Sequence, residues 1–144
     1  FLGHSYIGSF VNFGALATNS DLKNNYGEVS LSLNGEIVKT KSIKIGAFIG
    51  DFTKLGIGSL INTGSIIGLG CNLFFEGKMY PKEIPSYLWG GKKPFKIYDF
   101  DKFIATSIKV LQRRQCKLSE EEVSLLRLIF DQEKGMRKNF LVAS

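Results

Sequence analysis

The sequence predicts a mainly β protein: a parallel β-helix of hexapeptide repeats with an inserted loop and hairpin, followed by a C-terminal tail of two helices. Large aliphatic residues recur every six positions, and small residues follow the first five of them by four. The aliphatic series is Ile43, Ile49, Leu55, Ile61, Ile67 and Leu73. Amphipathic helices need apolar spacings of three and four, and half-buried strands alternate by two. A six-residue period is instead typical of a β-helix whose coils contain one short strand per hexad.

The small residues of the repeat are Ala47, Thr53, Ser59, Ser65 and Cys71. We expect each aliphatic side chain to point inward and each small residue to lie at the following turn, where glycines permit crowded or positive-φ backbone. The same phase occurs earlier at Phe1, Ile7 and Phe13. Three hexads, residues 1–18, would complete one coil, so we place the β-helix at residues 1–75.

The chain begins inside this repeat, and the ends of a stacked solenoid need a cap. We therefore expect it to be the C-terminal piece of a longer protein. The sequence shows no start methionine, no signal peptide and no apolar stretch of membrane-spanning length. These features favour a cytoplasmic protein that does not bind a membrane.

Residues 19–42 interrupt the hexads. The segment starts as a polar loop, residues 19–28, and continues as two alternating runs on either side of Asn34-Gly35. Asn-Gly between such runs is a strong signal of a β-hairpin. We expect the hairpin to project from the solenoid, where long insertions often lie on the binding side.

Residues 76–98 are predicted to be an irregular capping segment, because proline and glycine recur throughout them. Its aromatic residues Tyr80, Tyr87 and Trp89 should cover the open edge of the last coil. For Trp89, stacking on a ligand is an alternative interpretation.

The tail, residues 99–144, reads as two helices. Asp101 is the expected cap of the first, which should extend to Lys117 and include Cys116. The second should begin with a capping box, residues 119–122, and stop at Gly135. Both helices carry an apolar stripe, which we expect to pack on the solenoid or on a neighbouring subunit.

Composition excludes several classes. Two cysteines do not form a disulfide framework, so Cys71 and Cys116 are expected to be reduced thiols, and no metal-ligand spacing is present. The net charge is +6, and most of the surplus lies in the tail. The basic residues of the tail either form a solvated surface on its helices or attract a phosphate-bearing ligand or partner. No nucleic-acid-binding motif is present.

Particular strings give the repeat a family resemblance. Residues 1–15, 19–27, 49–51, 62–64 and 84–91 resemble the C-terminal domains of bacterial bifunctional sugar-1-phosphate nucleotidyltransferase/acetyltransferases, which make UDP-N-acetylglucosamine, and in particular a divergent branch of that family. The resemblance covers nearly the whole chain. It implies a left-handed parallel β-helix, the fold of the hexapeptide-repeat acyltransferases.

The resemblance also implies a function. Such domains transfer acetyl from acetyl-CoA, as co-substrate, to the amine of glucosamine 1-phosphate, and they resemble homotrimers with the active site between neighbouring solenoids. A histidine general base takes the amine proton, and hydrogen-bond donors stabilise the oxyanion. The partners implied are therefore other copies of the chain and an amino-sugar phosphate.

Residue by residue, the family's catalytic histidine falls three positions before Phe1, and Phe1 stands where the family has a tyrosine. His4, the single histidine of this chain, is the candidate base, with a corner histidine in a structural hydrogen bond as the alternative. The resemblance matches the family's two substrate asparagines to Asn12 and Asp21, with Asn19 as the nearby alternative, and Lys23 is the nearest residue to an expected lysine. Asn24 and Tyr26 belong to the same polar loop, which the resemblance makes a sugar-phosphate-binding loop. The resemblance places cofactor contacts at Ala15, Asp51 and Leu69, with Asp51 replacing a serine.

Two other interpretations remain. The chain could be a non-catalytic module that trimerises and supports or regulates a nucleotidyltransferase, since the family histidine, the tyrosine and the serine are all replaced or missing. In that case the polar loop is ordinary turn chemistry. The zinc carbonic anhydrases of the same fold need three histidine ligands, and this chain has one.

Overall fold

The structure, a computed structural model, describes residues 1–142; Ala143 and Ser144, the end of the predicted tail, lie outside the described residues. The strands are β1 (Tyr6–Ile7), β2 (Asn12–Phe13), β3 (Thr18–Asn19), β4 (Ser30–Leu33), β5 (Glu36–Lys39), β6 (Phe48–Ile49), β7 (Lys54–Leu55), β8 (Leu60–Ile61), β9 (Ile66–Ile67), β10 (Asn72–Leu73), β11 (Glu83–Ile84), β12 (Leu88–Gly90) and β13 (Lys96–Ile97). The helices are α1 (Phe100–Gln112), α2 (Glu120–Gln132) and α3 (Lys134–Arg137), with a 3₁₀ turn at Lys138–Phe140.

The short strands, of two or three residues each, form three sheets that the chain enters in turn. We call them sheet A (β1-β6-β9-β11), sheet B (β2-β7-β10-β12-β13) and sheet C (β3-β8), and every pairing is parallel except β12 with β13. Phe48 pairs with Ile66 and Lys54 with Asn72, so three hexads return the chain to the same sheet. Short parallel strands in this order are consistent with the predicted β-helix.

The hexad positions from Ile49 onward form the core. Ile49, Leu55, Ile61, Ile67 and Leu73 are at most 1% exposed. The small positions behind them are fully buried, as predicted; they are Ala47, Thr53, Ser59, Ser65 and Cys71. Stacking the same aliphatic position from coil to coil therefore removes most of the apolar surface of this region from water.

The prediction that Ile43 also points inward is wrong. Its side chain is 46% exposed, because residues 40–45 form the exit of the hairpin and do not build a coil face. In this stretch Lys44 forms an antiparallel bridge with Leu22. Phe1 is exposed as well, with its ring lying over Gly3. The inward position opposite Ile61 belongs to Asn19.

The predicted hairpin is present as the antiparallel pair β4–β5. Its turn residues Asn34 and Gly35 have φ values of 54° and 81°, the left-handed backbone that a two-residue type I′ turn requires. The hairpin tip does not project freely. Glu83 lies in β11, and its carboxylate accepts hydrogen bonds from Asn34 N at 2.6 Å, Gly35 N at 3.3 Å and Ser32 Oγ at 2.5 Å.

Replacing Glu83 with alanine should release the hairpin tip. The amides of Asn34 and Gly35 lose their acceptor, so their hydrogen exchange should accelerate at least tenfold, while exchange in β6 and β9 stays unchanged. Glu36→Ala, at an exposed position on the same hairpin, is the matched control. Equal exchange at the tip in wild type and Glu83→Ala would show that this carboxylate does not hold it.

The capping segment is more regular than predicted, because β11, β12 and β13 lie within residues 76–98. Ile66 pairs with Glu83, one residue short of the coil repeat, and this shift hides the strands from a six-residue count. Tyr80 and Tyr87 are buried, as expected of residues that close the last coil. Trp89 packs edge-on between the rings of Phe74 and Tyr98.

Several predicted helix boundaries are corrected. Asp99, and not Asp101, caps α1, since its carboxylate accepts from Lys102 N at 3.0 Å. This helix ends at Gln112, so Cys116 is in the following loop. The capping box of Ser119 and Glu122 at the start of α2 is confirmed. Gly135 does not end α2 but lies inside α3.

The tail packs on the corner where sheet A turns into sheet B. Tyr87 at this corner forms edge contacts with Phe103 of α1 and Phe130 of α2, and its hydroxyl donates to Leu126 O at 2.8 Å. The apolar stripes of both helices therefore face the coils, one of the two alternatives the sequence allowed. Within residues 1–142, none of the helices combines the length and apolarity needed to cross a membrane.

Candidate functional site

The corner between sheets C and A brings His4 and Asp21 together. Their Nδ1 and Oδ2 atoms lie 2.6 Å apart. The imidazole is 51% exposed, whereas the carboxylate is 17% exposed. Because an ionised carboxylate can only accept, this contact places a hydrogen on Nδ1 and leaves the Nε2 lone pair of a neutral imidazole directed away from the carboxylate.

The backbone of His4 has the left-handed conformation of the corners of the repeat. Its φ is 48°, and the corner residues Phe10 and Leu16, six and twelve positions later, have φ values of 56° and 63°. Gly46 N donates to His4 O at 2.7 Å. This φ is therefore a feature of the repeat, and the position of His4 is defined by its contacts with Gly46 and Asp21.

Asn19, a predicted substrate contact, is buried below this pair. Its Oδ1 accepts from Gly3 N at 2.9 Å, and its Nδ2 donates to Gly3 O at 3.0 Å. The same Nδ2 lies 3.2 Å from Ser5 Oγ and from Ser20 O. The amide is therefore occupied by the segments that carry His4 and Asp21.

The remaining loop residues lie beside Asp21. Lys23 Nζ donates to Glu28 O, which folds the lysine back on its own loop. Asn25 Oδ1 accepts from Gly27 N at 3.0 Å, an Asx-type turn. Asn24 and Tyr26 are exposed, and Tyr26 has a φ of 56°. Of these predicted contacts, Asn24 and Tyr26 present free side chains to solvent.

Asn12 and Ala15 lie away from this corner. Asn12 is exposed on the outer side of sheet B, in register with Lys54. The Lys54 amine donates to Phe10 O at 2.5 Å, and burial lowers the pKa of Lys54. Ala15 is exposed at the turn between sheets B and C, where its carbonyl accepts from Gly58 N. Lys54 was not among the predicted site residues.

Asp51 and Leu69 share a pocket of about 280 Å³ at the corner between sheets A and B. The tail covers this corner, and its Leu126 and Ile129 also line the pocket. The Asp51 carboxylate accepts from Ser9 N at 2.6 Å, so it closes the turn above it. The structure thus brings two of the three predicted cofactor contacts together.

Buried Cys71 has no place in the candidate chemistry. Burial raises the pKa of its thiol to about 12, and its Sγ lies 3.3 Å from Pro85 O. A thiol in this state is not a nucleophile near neutral pH. Among residues 1–142, no group of three His, Cys, Asp or Glu side chains is arranged to hold a metal ion.

Sequence reasoning missed the supporting role of Gly46. A β-carbon at this position would lie 2.0 Å from Gly3 O and 2.2 Å from Ser5 Oγ, so only glycine lets the two coils approach here. The inward position of Asn19 was also missed, although a continued count of hexads would have found it, because Asn19 continues the series Phe1, Ile7, Phe13.

Comparison with known proteins does not assign the chain to a class. No protein-family model matches it. No curated protein matches it significantly either.

Proposed function

We propose that this chain is an acetyltransferase-type domain with a left-handed parallel β-helix, which transfers acetyl from acetyl-CoA to the amine of an amino-sugar 1-phosphate such as glucosamine 1-phosphate. The family resemblance of the sequence suggests this reaction. The observation that carries the proposal is the 2.6 Å contact between His4 and Asp21 in a half-exposed corner. A base oriented by a carboxylate is the arrangement that general-base catalysis needs.

In the proposed reaction the amine nitrogen bonds to the carbonyl carbon of the thioester and the carbon–sulfur bond breaks. His4 Nε2 takes the proton that the amine loses, and Asp21 stabilises the resulting imidazolium. The imidazolium then returns this proton to the departing CoA thiolate. His4 thereby fills the role that the family gives to a histidine at another position.

The positions of the candidate residues support a site shared between copies. His4 and Asp21 lie at the corner where the chain enters sheet A, whereas Asp51 and Leu69 lie at the corner where it leaves that sheet. One chain therefore presents these two groups of residues at opposite ends of the strands of sheet A. We propose a homotrimer in which one copy supplies the His4 corner and its neighbour supplies the Asp51 corner together with the tail that covers it.

Thiol release tests the reaction. The purified protein is incubated with acetyl-CoA and each of several amino-sugar 1-phosphates, and free CoA is followed with a thiol reagent. Acceptor-dependent release supports acetyl transfer, and a non-amino sugar phosphate is the control. Release that never exceeds this control with any amino sugar would contradict the proposal.

The non-catalytic module is the second candidate, and Asp51 favours it. Its carboxylate stands where the family has a serine and is committed to Ser9 N, so it adds negative charge where an anionic cofactor would bind. Titration calorimetry and light scattering separate the two candidates. A stable trimer without acetyl-CoA binding would favour the module, whereas saturable binding of acetyl-CoA would favour the enzyme.

A further inference from the structure

We infer that Asn19 is a positioning residue: its buried amide, together with Gly46, fixes the relative placement of His4 and Asp21. This inference deepens the proposed function and rests on it only in treating the His4–Asp21 pair as the reaction centre. It also changes the role of Asn19 from the predicted substrate contact to an internal support.

The first reason is the place of Asn19 in the fold. It lies in the inward position of β3, directly opposite Ile61 of β8 in the next coil. The equivalent positions Leu55 and Ile67 are also buried aliphatic residues. An amide costs free energy there unless its polar atoms are satisfied, and packing alone favours an aliphatic side chain. The polar side chain therefore needs a reason other than packing.

Its hydrogen bonds supply that reason. Asn19 bonds both backbone atoms of Gly3, which precedes His4, and reaches Ser5 Oγ, which follows it. It also reaches Ser20 O, next to Asp21. One side chain thus ties the two short segments that carry the proposed base and its carboxylate partner.

Gly46 completes the support from the coil below. Its N–H donates to His4 O at 2.7 Å, and its α-carbon approaches Gly3 so closely that no β-carbon fits. Ser5 Oγ accepts from the adjacent Ala47 N at 2.9 Å. These contacts join the His4 corner to the next coil. Without them, the segments that carry His4 and Asp21 should shift, and the contact between the two side chains should lengthen.

The test substitutes Asn19 with leucine, which matches the aliphatic occupants of the other inward positions and should leave the coil folded. Long-range ¹H–¹⁵N spectra of the neutral imidazole report its tautomer without reference to activity. We expect wild-type His4 to hold its hydrogen on Nδ1, and Asn19→Leu to shift most molecules to the Nε2–H form. Asn72→Leu, the same exchange at an outward-facing strand position, should leave the tautomer unchanged.

Activity gives a second readout. Misplacing a base by about 1 Å costs on the order of 10²-fold in rate, so Asn19→Leu should lower kcat about 10²-fold with little change in KM. Gly46→Ala should produce the same tautomer change by displacing Gly3. Asn19→Leu with the wild-type tautomer and kcat would overturn the inference. If wild-type protein transfers no acetyl group, the proposed function fails, and the tautomer of Asn19→Leu still decides the positioning role.

Discussion

Replacing His4 with glutamine is expected to lower kcat/KM for acetyl transfer by about 10²- to 10⁴-fold, the contribution typical of a positioned general base. Glutamine keeps a polar side chain of similar length but cannot accept a proton from the attacking amine. The imidazole is half exposed, so the substitution should leave the unfolding free energy within about 0.5 kcal/mol of wild type. Steady-state kinetics and chemical denaturation measure the two effects separately.

Asp21→Asn provides the companion measurement. Asparagine occupies the same space, but it can donate to Nδ1 and stabilise the wrong tautomer, so kcat should also fall steeply. Since the two residues act as a unit, the double variant should be little slower than His4→Gln alone. The exposed Lys78→Gln is the control. If the double variant loses as much activation free energy as the two single variants together, the two residues do not act as a coupled pair.

Replacing Glu133 with alanine is expected to lower the unfolding free energy by about 3 kcal/mol, because it strands buried polar groups that the tail and the last coil share. The Glu133 carboxylate accepts from Ser86 N at 2.8 Å and from Ser86 Oγ at 2.9 Å. It also faces Arg137, whose side chain is only 1% exposed. Burial lowers the pKa of Arg137, and the charge of Glu133 opposes this shift.

Urea denaturation measures this effect. Glu133→Gln retains an oxygen for Ser86 but removes the charge that faces Arg137. Its unfolding free energy should therefore lie between those of wild type and Glu133→Ala. Gln132→Ala, at the exposed end of α2, is the matched control and should stay within about 0.5 kcal/mol of wild type. A Glu133→Ala protein as stable as this control would show that the Glu133 carboxylate does not hold the tail.

The regular part of the fold was predictable because its signal is periodic and local. From Ile49 to Leu73 each inward residue is set by a count of six, and the Asn34-Gly35 turn by two residues alone. The count failed where the chain departs from the period. Ile43 continues the series but lies on the hairpin exit, and β11 pairs with β9 one residue out of phase.

The candidate site was less predictable for a related reason. Asp21 was named from the family resemblance and His4 as the single histidine of the chain, but their contact joins residues 17 apart on facing ends of one coil. The supporting approach of Gly46 depends on stacking across the whole insertion, since Tyr6 pairs with Phe48. Asp99 and Asp101 show the same limit at short range: both are acids at the start of a helix, and only the backbone decides which one caps it.

A single-turnover experiment with labelled acetyl-CoA tests acetyl transfer at the His4–Asp21 corner. Protein in excess is mixed with ¹³C-acetyl-CoA and glucosamine 1-phosphate for a single turnover, and the sugar phosphate is analysed by mass spectrometry for wild type and His4→Gln. We expect a labelled N-acetyl product from wild type and at least 10²-fold slower labelling by the variant. Wild-type protein that forms no labelled product, or a variant that forms it at the wild-type rate, would contradict acetyl transfer at the His4–Asp21 corner.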